Sequence, residues 1–124
     1  MENYKALLVD DDPTVLRLVS ALLNHLGVAV AAAHDAESAI ALSQSSEHSF
    51  DLLVSDIHLP DLNGFDMARR IQRLLPRIRV VYMTGDIPVA ESLRRGNLIC
   101  LAKPFRLREL EAALQCVMGA EQSR

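Results

Sequence analysis

The sequence predicts an α/β fold: a doubly wound parallel sheet of five strands with helices on both faces. Two observations point to it. Five short apolar runs alternate with five helix-like segments, the pattern of βαβ units. The runs are apolar nearly throughout, without polar alternation, as in strands covered on both sides.

The strand candidates are residues 6–9, 28–33, 52–55, 78–83 and 98–102. The first helix opens at Asp12-Pro13, where an Asp side chain can accept from unsatisfied N–H groups and a proline in the first turn loses no hydrogen bond. It closes at Gly27, and Val15, Leu18, Val19, Leu22 and Leu26 recur at three- and four-residue steps as one apolar stripe. The second helix covers 36–45, with Asp35 as cap and Ala36, Ala39 and Ile40 facing inward. The third follows Asn63-Gly64, carries Phe65, Ala68, Ile71 and Leu74/Leu75, and ends before Pro76 because the residue preceding a proline is pushed out of helical geometry. In the fourth, Pro88 fits only a first turn and Gly96 is a natural stop, which limits it to about two turns. The fifth covers 107–118, with Leu110, Leu114 and Val117 on one face.

A chain of 124 residues buries one core, so residues 1–119 read as one domain and 120–124 as a frayed tail or the start of a linker. Hydrophobic residues make up 50% and charged residues 23%, the balance of a globular protein. A net charge of −3 argues against direct nucleic-acid binding by the domain, which needs an excess of Lys and Arg on the binding face. The start at Met1 to Lys5 lacks signal-peptide character and no apolar run approaches the roughly 18 residues of a membrane span, so a cytoplasmic protein is expected. Cys100 and Cys116 form neither a metal spacing nor a disulfide framework and read as core or partly buried thiols. His25, His34, His48 and His58 are scattered, which disfavours a zinc site.

In a doubly wound sheet, ligands bind beyond the carboxyl ends of the strands. Those ends here are Asp10-Asp11-Asp12, Asp56, Thr84 and Lys103-Pro104. Clustered carboxylates raise one another's pKa unless a cation is present, and an all-oxygen donor set suits Mg²⁺. With Asp12 spent as a helix cap, Asp10 and Asp11 are left for the metal. A carboxylate beside a metal and faced by a lysine can act as a nucleophile toward phosphorus, which suits Asp56, while Lys103 and the Thr84 hydroxyl can bind phosphoryl oxygens. The arginines at 69, 70 and 73 read as a solvated face, and those at 94, 95, 106 and 108 also as the rim of a partner surface.

These residues, in this order, resemble the receiver domain of response regulators: Leu7-Leu8-Val9-Asp10-Asp11-Asp12, the stretch from Asp51 to Gly64, Met83-Thr84-Gly85 and Lys103-Pro104-Phe105. The resemblance covers essentially the whole chain. It implies a flavodoxin-like (βα)5 fold with strand order 2-1-3-4-5 and a cis bond at Lys103-Pro104. It further implies that Asp56 is phosphorylated, that Asp11, Asp56 and the backbone carbonyl of His58 ligate Mg²⁺ directly with Asp10 acting through water, and that Thr84 and Lys103 bind the phosphoryl group. His58 and Asp86 would flank the opening, where they could tune how long the group persists. The donor would be a sensor histidine kinase or phosphotransfer protein in a two-component system or phosphorelay. The recipient of the signal would be a downstream effector domain or protein, with a homodimer through the helix four, strand five and helix five face as one arrangement. On this reading the chain is a regulatory phosphoacceptor that catalyses its own phosphorylation, and not an enzyme. It departs from the family pattern at Cys100, which takes the place of the usual switch aromatic coupled to Thr84, and in a short stretch between Thr84 and Lys103.

Two other readings compete. Asp10-x-Asp12-x-Thr14 after a strand is also similar to haloacid dehalogenase-type phosphohydrolases, with Asp10 as nucleophile, although the further acidic motif and cap domain of that family are not evident. A receiver-like binding module that signals without phosphorylation is the other, and the intact set Asp10, Asp11, Asp56, Thr84 and Lys103 argues against it.

Overall fold

The computed structural model describes residues 3–45, 47 and 49–122, with side chains through Gly119. Met1 and Glu2 of the expected leaderless start, His48, and Ser123 and Arg124 of the expected tail lie outside the described residues. Strands and helices alternate strictly: β1 (Lys5–Val9), α1 (Pro13–His25), β2 (Ala29–Ala33), α2 (Ala36–Gln44), β3 (Leu52–Asp56), α3 (Gly64–Leu74), β4 (Arg79–Thr84), α4 (Ile87–Arg95), β5 (Cys100–Ala102) and α5 (Leu107–Gln122). All neighbouring strands are parallel and the order is β2-β1-β3-β4-β5, as expected. No helix among the described residues is long and apolar enough to cross a membrane.

Side chains of a strand alternate between faces, so each apolar run feeds two cores. Leu7, Val9, Leu53, Tyr82 and Cys100 pack with Met67 and Ile71 on the face covered by α2, α3 and α4. Leu8, Val54, Val81, Met83 and Leu101 pack with Leu23, Leu110 and Leu114 on the face covered by α1 and α5. β2 is the exception to full coverage: at the edge of the sheet, Ala29 and Ala32 are exposed.

Two leucines expected in helix stripes point outward. Leu18 is 52% exposed, and the buried side of α1 is centred on Val19 and Leu23, one turn apart. Leu74 is likewise exposed, and Met67, absent from the predicted stripe of α3, is fully buried. Stripes of both helices contain adjacent apolar pairs, and only the sheet decides which member turns in.

The helix ends follow local chemistry. Asp12 accepts from Thr14 N–H at the start of α1, and Pro13 stands at its first position. Gly27, with φ 86°, ends α1 in the left-handed region, letting Val28 N–H reach Leu23 O at 3.0 Å. α4 stops at Gly96, its C-cap, as expected, and the left-handed residue follows at Asn97 (φ 66°): Leu98 N–H bonds Leu93 O at 3.0 Å. Asn tolerates this conformation because its short polar side chain can bond locally. α5 continues through Gln122, past the limit of 118 expected for it, in a segment rich in good helix formers. Cys100 is buried as expected, but Cys116 is exposed, on the outer side of α5.

Candidate functional site

The carboxyl ends of β1, β3, β4 and β5 meet at one edge of the sheet. Asp10 and Thr84 are fully buried there, Asp56 is 7% exposed, and Asp11 faces solvent. One oxygen from each of Asp10, Asp11 and Asp56 lies within 4.8 Å of the others. Lys103 Nζ donates to Asp56 Oδ2 at 2.8 Å and to Asp10 Oδ2 at 2.9 Å. The backbone orients the acids too: Asp12 N–H donates to Asp10 Oδ1 at 2.9 Å and His58 N–H to Asp56 Oδ1 at 3.0 Å.

This is an electrostatically loaded arrangement. Burial pushes the Asp10 carboxyl up, against the opposing pull of the Asp12 N–H and Lys103. Burial would lower the Lys103 ammonium, but its bonds to Asp56 and Asp10, with their charges, outweigh that and hold it raised. A single ammonium shared by two acids, with a third acid on the solvent side, leaves net negative charge on an all-oxygen donor set. Such a set fits a hard divalent cation of the Mg²⁺ type.

The remaining expected residues take more particular places. Thr84 Oγ1 accepts from Asp86 N–H at 3.1 Å, a contact that leaves the hydroxyl proton for another acceptor. Asp86 does more than flank the opening: its carboxylate caps α4, accepting from Val89 N–H at 3.3 Å. An Asp two residues ahead of a first-turn proline was the sequence signal for it. The His58 side chain is exposed, and the Lys103–Pro104 bond is cis. Cys100 is 3% exposed and stands in register with Tyr82 on β4. The Tyr82 ring packs on Phe65 with centroids 4.8 Å apart, so an aromatic pair lies beside the position where the resemblance implied an aromatic on β5. Burial raises the thiol of Cys100 and the phenol of Tyr82.

Two contacts had no forewarning in the sequence. Arg94 Nε donates to Cys100 O at 2.9 Å, joining α4 to β5. Asp61, in the loop after β3, accepts from Ala36 N–H at 3.0 Å and Glu37 N–H at 2.9 Å at the start of α2.

Residues 6–115 match the model of the response regulator receiver domain. The chain belongs to that family. Membership sets aside the haloacid dehalogenase-type reading. Among relatives of this receiver domain, the two-component response regulator ARR2 of Arabidopsis thaliana is 32% identical over 98% of the chain, and 18% of the relative is covered. The chain thus spans about a fifth of the length of the curated relatives it matches. The signal receiver domain of an HD domain-containing protein from Pseudomonas fluorescens Pf-5 is 28% identical with a TM-score of 0.80, covering 99% of this chain and 92% of that one. A response regulator protein from Burkholderia pseudomallei, solved with a phosphorylated aspartic acid, a calcium ion and citrate, is 26% identical with a TM-score of 0.77, covering 98% and 72%.

Proposed function

We propose that this receiver domain is a phosphoacceptor switch in which Asp56 takes a phosphoryl group from the phosphohistidine of a sensor histidine kinase or phosphotransfer protein. The single observation that carries the reading is the bridge from Lys103 to both Asp56 and Asp10, which holds a nearly buried carboxylate beside a cation at the edge where ligands bind. The similar Burkholderia protein with a phosphorylated aspartic acid and a calcium ion supports it.

Asp56 oxygen attacks phosphorus, the P–N bond to the donor imidazole breaks, and the imidazole leaves with its electron pair. Oδ2 of Asp56 is already bonded to Lys103 and Oδ1 to His58 N–H, so Lys103 shifts toward a phosphoryl oxygen as the new P–O bond forms. The Thr84 hydroxyl, one residue past the strand position facing Asp56, donates to another. Asp10, Asp11, Asp56 and the His58 carbonyl would hold Mg²⁺, which supplies charge compensation for the acids and the incoming oxygens.

The acyl phosphate then biases two arrangements of the loops bearing His58 and Asp86, and partners that prefer one arrangement read the state. Asp86 connects Thr84 to the start of α4, and Arg94 connects the end of α4 to β5. That chain of contacts offers a route to the α4, β5 and α5 face for a downstream effector or a homodimer, in a cytoplasmic protein, without a switch aromatic at Cys100. Incubation with acetyl phosphate and Mg²⁺, followed by mass-spectrometric mapping, tests the assignment. Phosphate on Asp56, lost in Asp56→Asn with circular dichroism unchanged, is expected. Label on Asp10, or no label in the wild type, overturns it.

A further inference from the structure

The loop from 57 to 63 carries the backbone of His58 past the acid cluster, and it is tied down at three places. At its start, His58 N–H bonds Asp56 Oδ1. At its end, Gly64 N–H bonds Ile57 O at 2.7 Å, with Gly64 so close that a Cβ there would stand 2.4 Å from the carbonyl oxygen of Asp56. Between these points Asp61 ties the loop across to α2, one carboxylate oxygen on Ala36 N–H and the other on Glu37 N–H.

Those two amides and that of Ser38 are the first three of α2, which have no partner within a helix. Ser38 N–H goes to Asp35, the cap that the local sequence supplies. The other two go to a residue 25 and 24 positions away. A planar carboxylate using both oxygens on two adjacent amides is fixed in position and in direction, which one bond would not achieve. The anchor point is itself rigid: Ala36 and Ala39 are buried in the core, and Asp10 N–H bonds Ala33 O at the end of β2, 3.2 Å away. The loop is therefore referenced to the frame that positions Asp10.

We propose that Asp61 is a positioning residue of the phosphoacceptor site: by clamping the β3–α3 loop to the first turn of α2 it fixes the His58 backbone relative to Asp10 and Asp56, and thereby sets the affinity of the site for its divalent cation. The proposal rests on the phosphoacceptor reading, since the cation is the one that reading assigns. Residues that orient a metal-bearing segment from behind are worth roughly tenfold or more in affinity.

The control for a purely structural role is Asp35, which caps the same helix turn through Ser38 N–H and meets the acceptor loop only as a like charge near Asp61. Mg²⁺ titrations followed by amide NMR shifts, and hydrogen exchange of residues 57–63 in metal-free protein, are compared for the wild type, Asp61→Ala, Asp61→Asn and Asp35→Ala. Asp61→Ala is expected to bind Mg²⁺ roughly tenfold more weakly and to exchange faster in the loop, with Asp61→Asn intermediate. Asp35→Ala should lose stability while keeping wild-type Mg²⁺ affinity. Should Asp61→Ala not fold, Asp61→Asn, which keeps one acceptor oxygen, decides the comparison. Wild-type affinity and loop exchange in the Asp61 variants would overturn the proposal, as would equal weakening in Asp35→Ala. A wild type that binds no Mg²⁺ fails the cation assignment itself, a result distinguishable from the failure of Asp61 alone.

Discussion

Lys103 Nζ lies 2.8 Å from Asp56 Oδ2, a hydrogen bond made across 47 residues of sequence, while the same ammonium holds Asp10. Three charges at the ends of three strands therefore form one unit, and its stability depends on pH in a definite direction.

The folded-state pKa of Lys103 lies above its ordinary 10.5: burial opposes this, and the bonds and charges of Asp56 and Asp10 prevail. A raised value contributes stability that is complete below the unfolded pKa and is lost as pH rises through the folded one. Lys103→Met removes that contribution and leaves two crowded acids. It should cost about 3 kcal/mol at pH 7 in metal-free urea unfolding. The deficit should narrow in acid, where Asp10, its pKa raised by burial, takes up a proton. Equal stability of the two proteins at neutral pH would contradict a shared charge site.

Gly64→Ala should be destabilising without any change of charge. The added Cβ would meet Asp56 O at 2.4 Å, a backbone atom that cannot turn aside. A loss of about 2–3 kcal/mol is expected in urea, with slower labelling by acetyl phosphate because the clash displaces Asp56. A variant as stable as the wild type would show that the loop yields.

The facing of α1 can be checked by a pair of substitutions. Leu23→Ala empties a fully buried position and should cost about 3 kcal/mol, whereas Leu18→Ala, at a half-exposed position, should stay within about 0.5 kcal/mol. Similar costs at both positions would refute the assigned inner side of the helix.

The two thiols should differ sharply in reactivity. Cys116 is exposed, while Cys100 is buried and its thiol is held in the protonated form by burial. An aromatic disulfide reagent at pH 8 should titrate one thiol rapidly and the second only after denaturant is added. Two fast thiols in the native protein would rule out the buried position of Cys100.

Much of the site was legible because its residues sit at strand ends. Apolar runs locate β1, β3, β4 and β5, and the polar residue that closes each strand or directly follows it is Asp10, Asp56, Thr84 or Lys103. Asp12 and Asp35 were equally readable, since a cap bonds an amide two or three residues away and needs no other part of the chain, while Asn63, which caps α3 in the same way, was read only as part of a turn. Asp86 carried the same signal and was read only as flanking the opening.

The sequence by itself determined the alternation of strands and helices, the caps that start the helices and the residues at the ligand-binding edge, because each depends on periodicity or hydrogen bonding within a few positions. The tertiary structure alone decided that Leu18 and Leu74 turn outward, that Tyr82 packs beside Cys100, that Arg94 reaches the Cys100 carbonyl and that Asp61 clasps α2. Helix orientation against the sheet, strand register and loop placement create those relationships, and none of the three is encoded in a local window of residues.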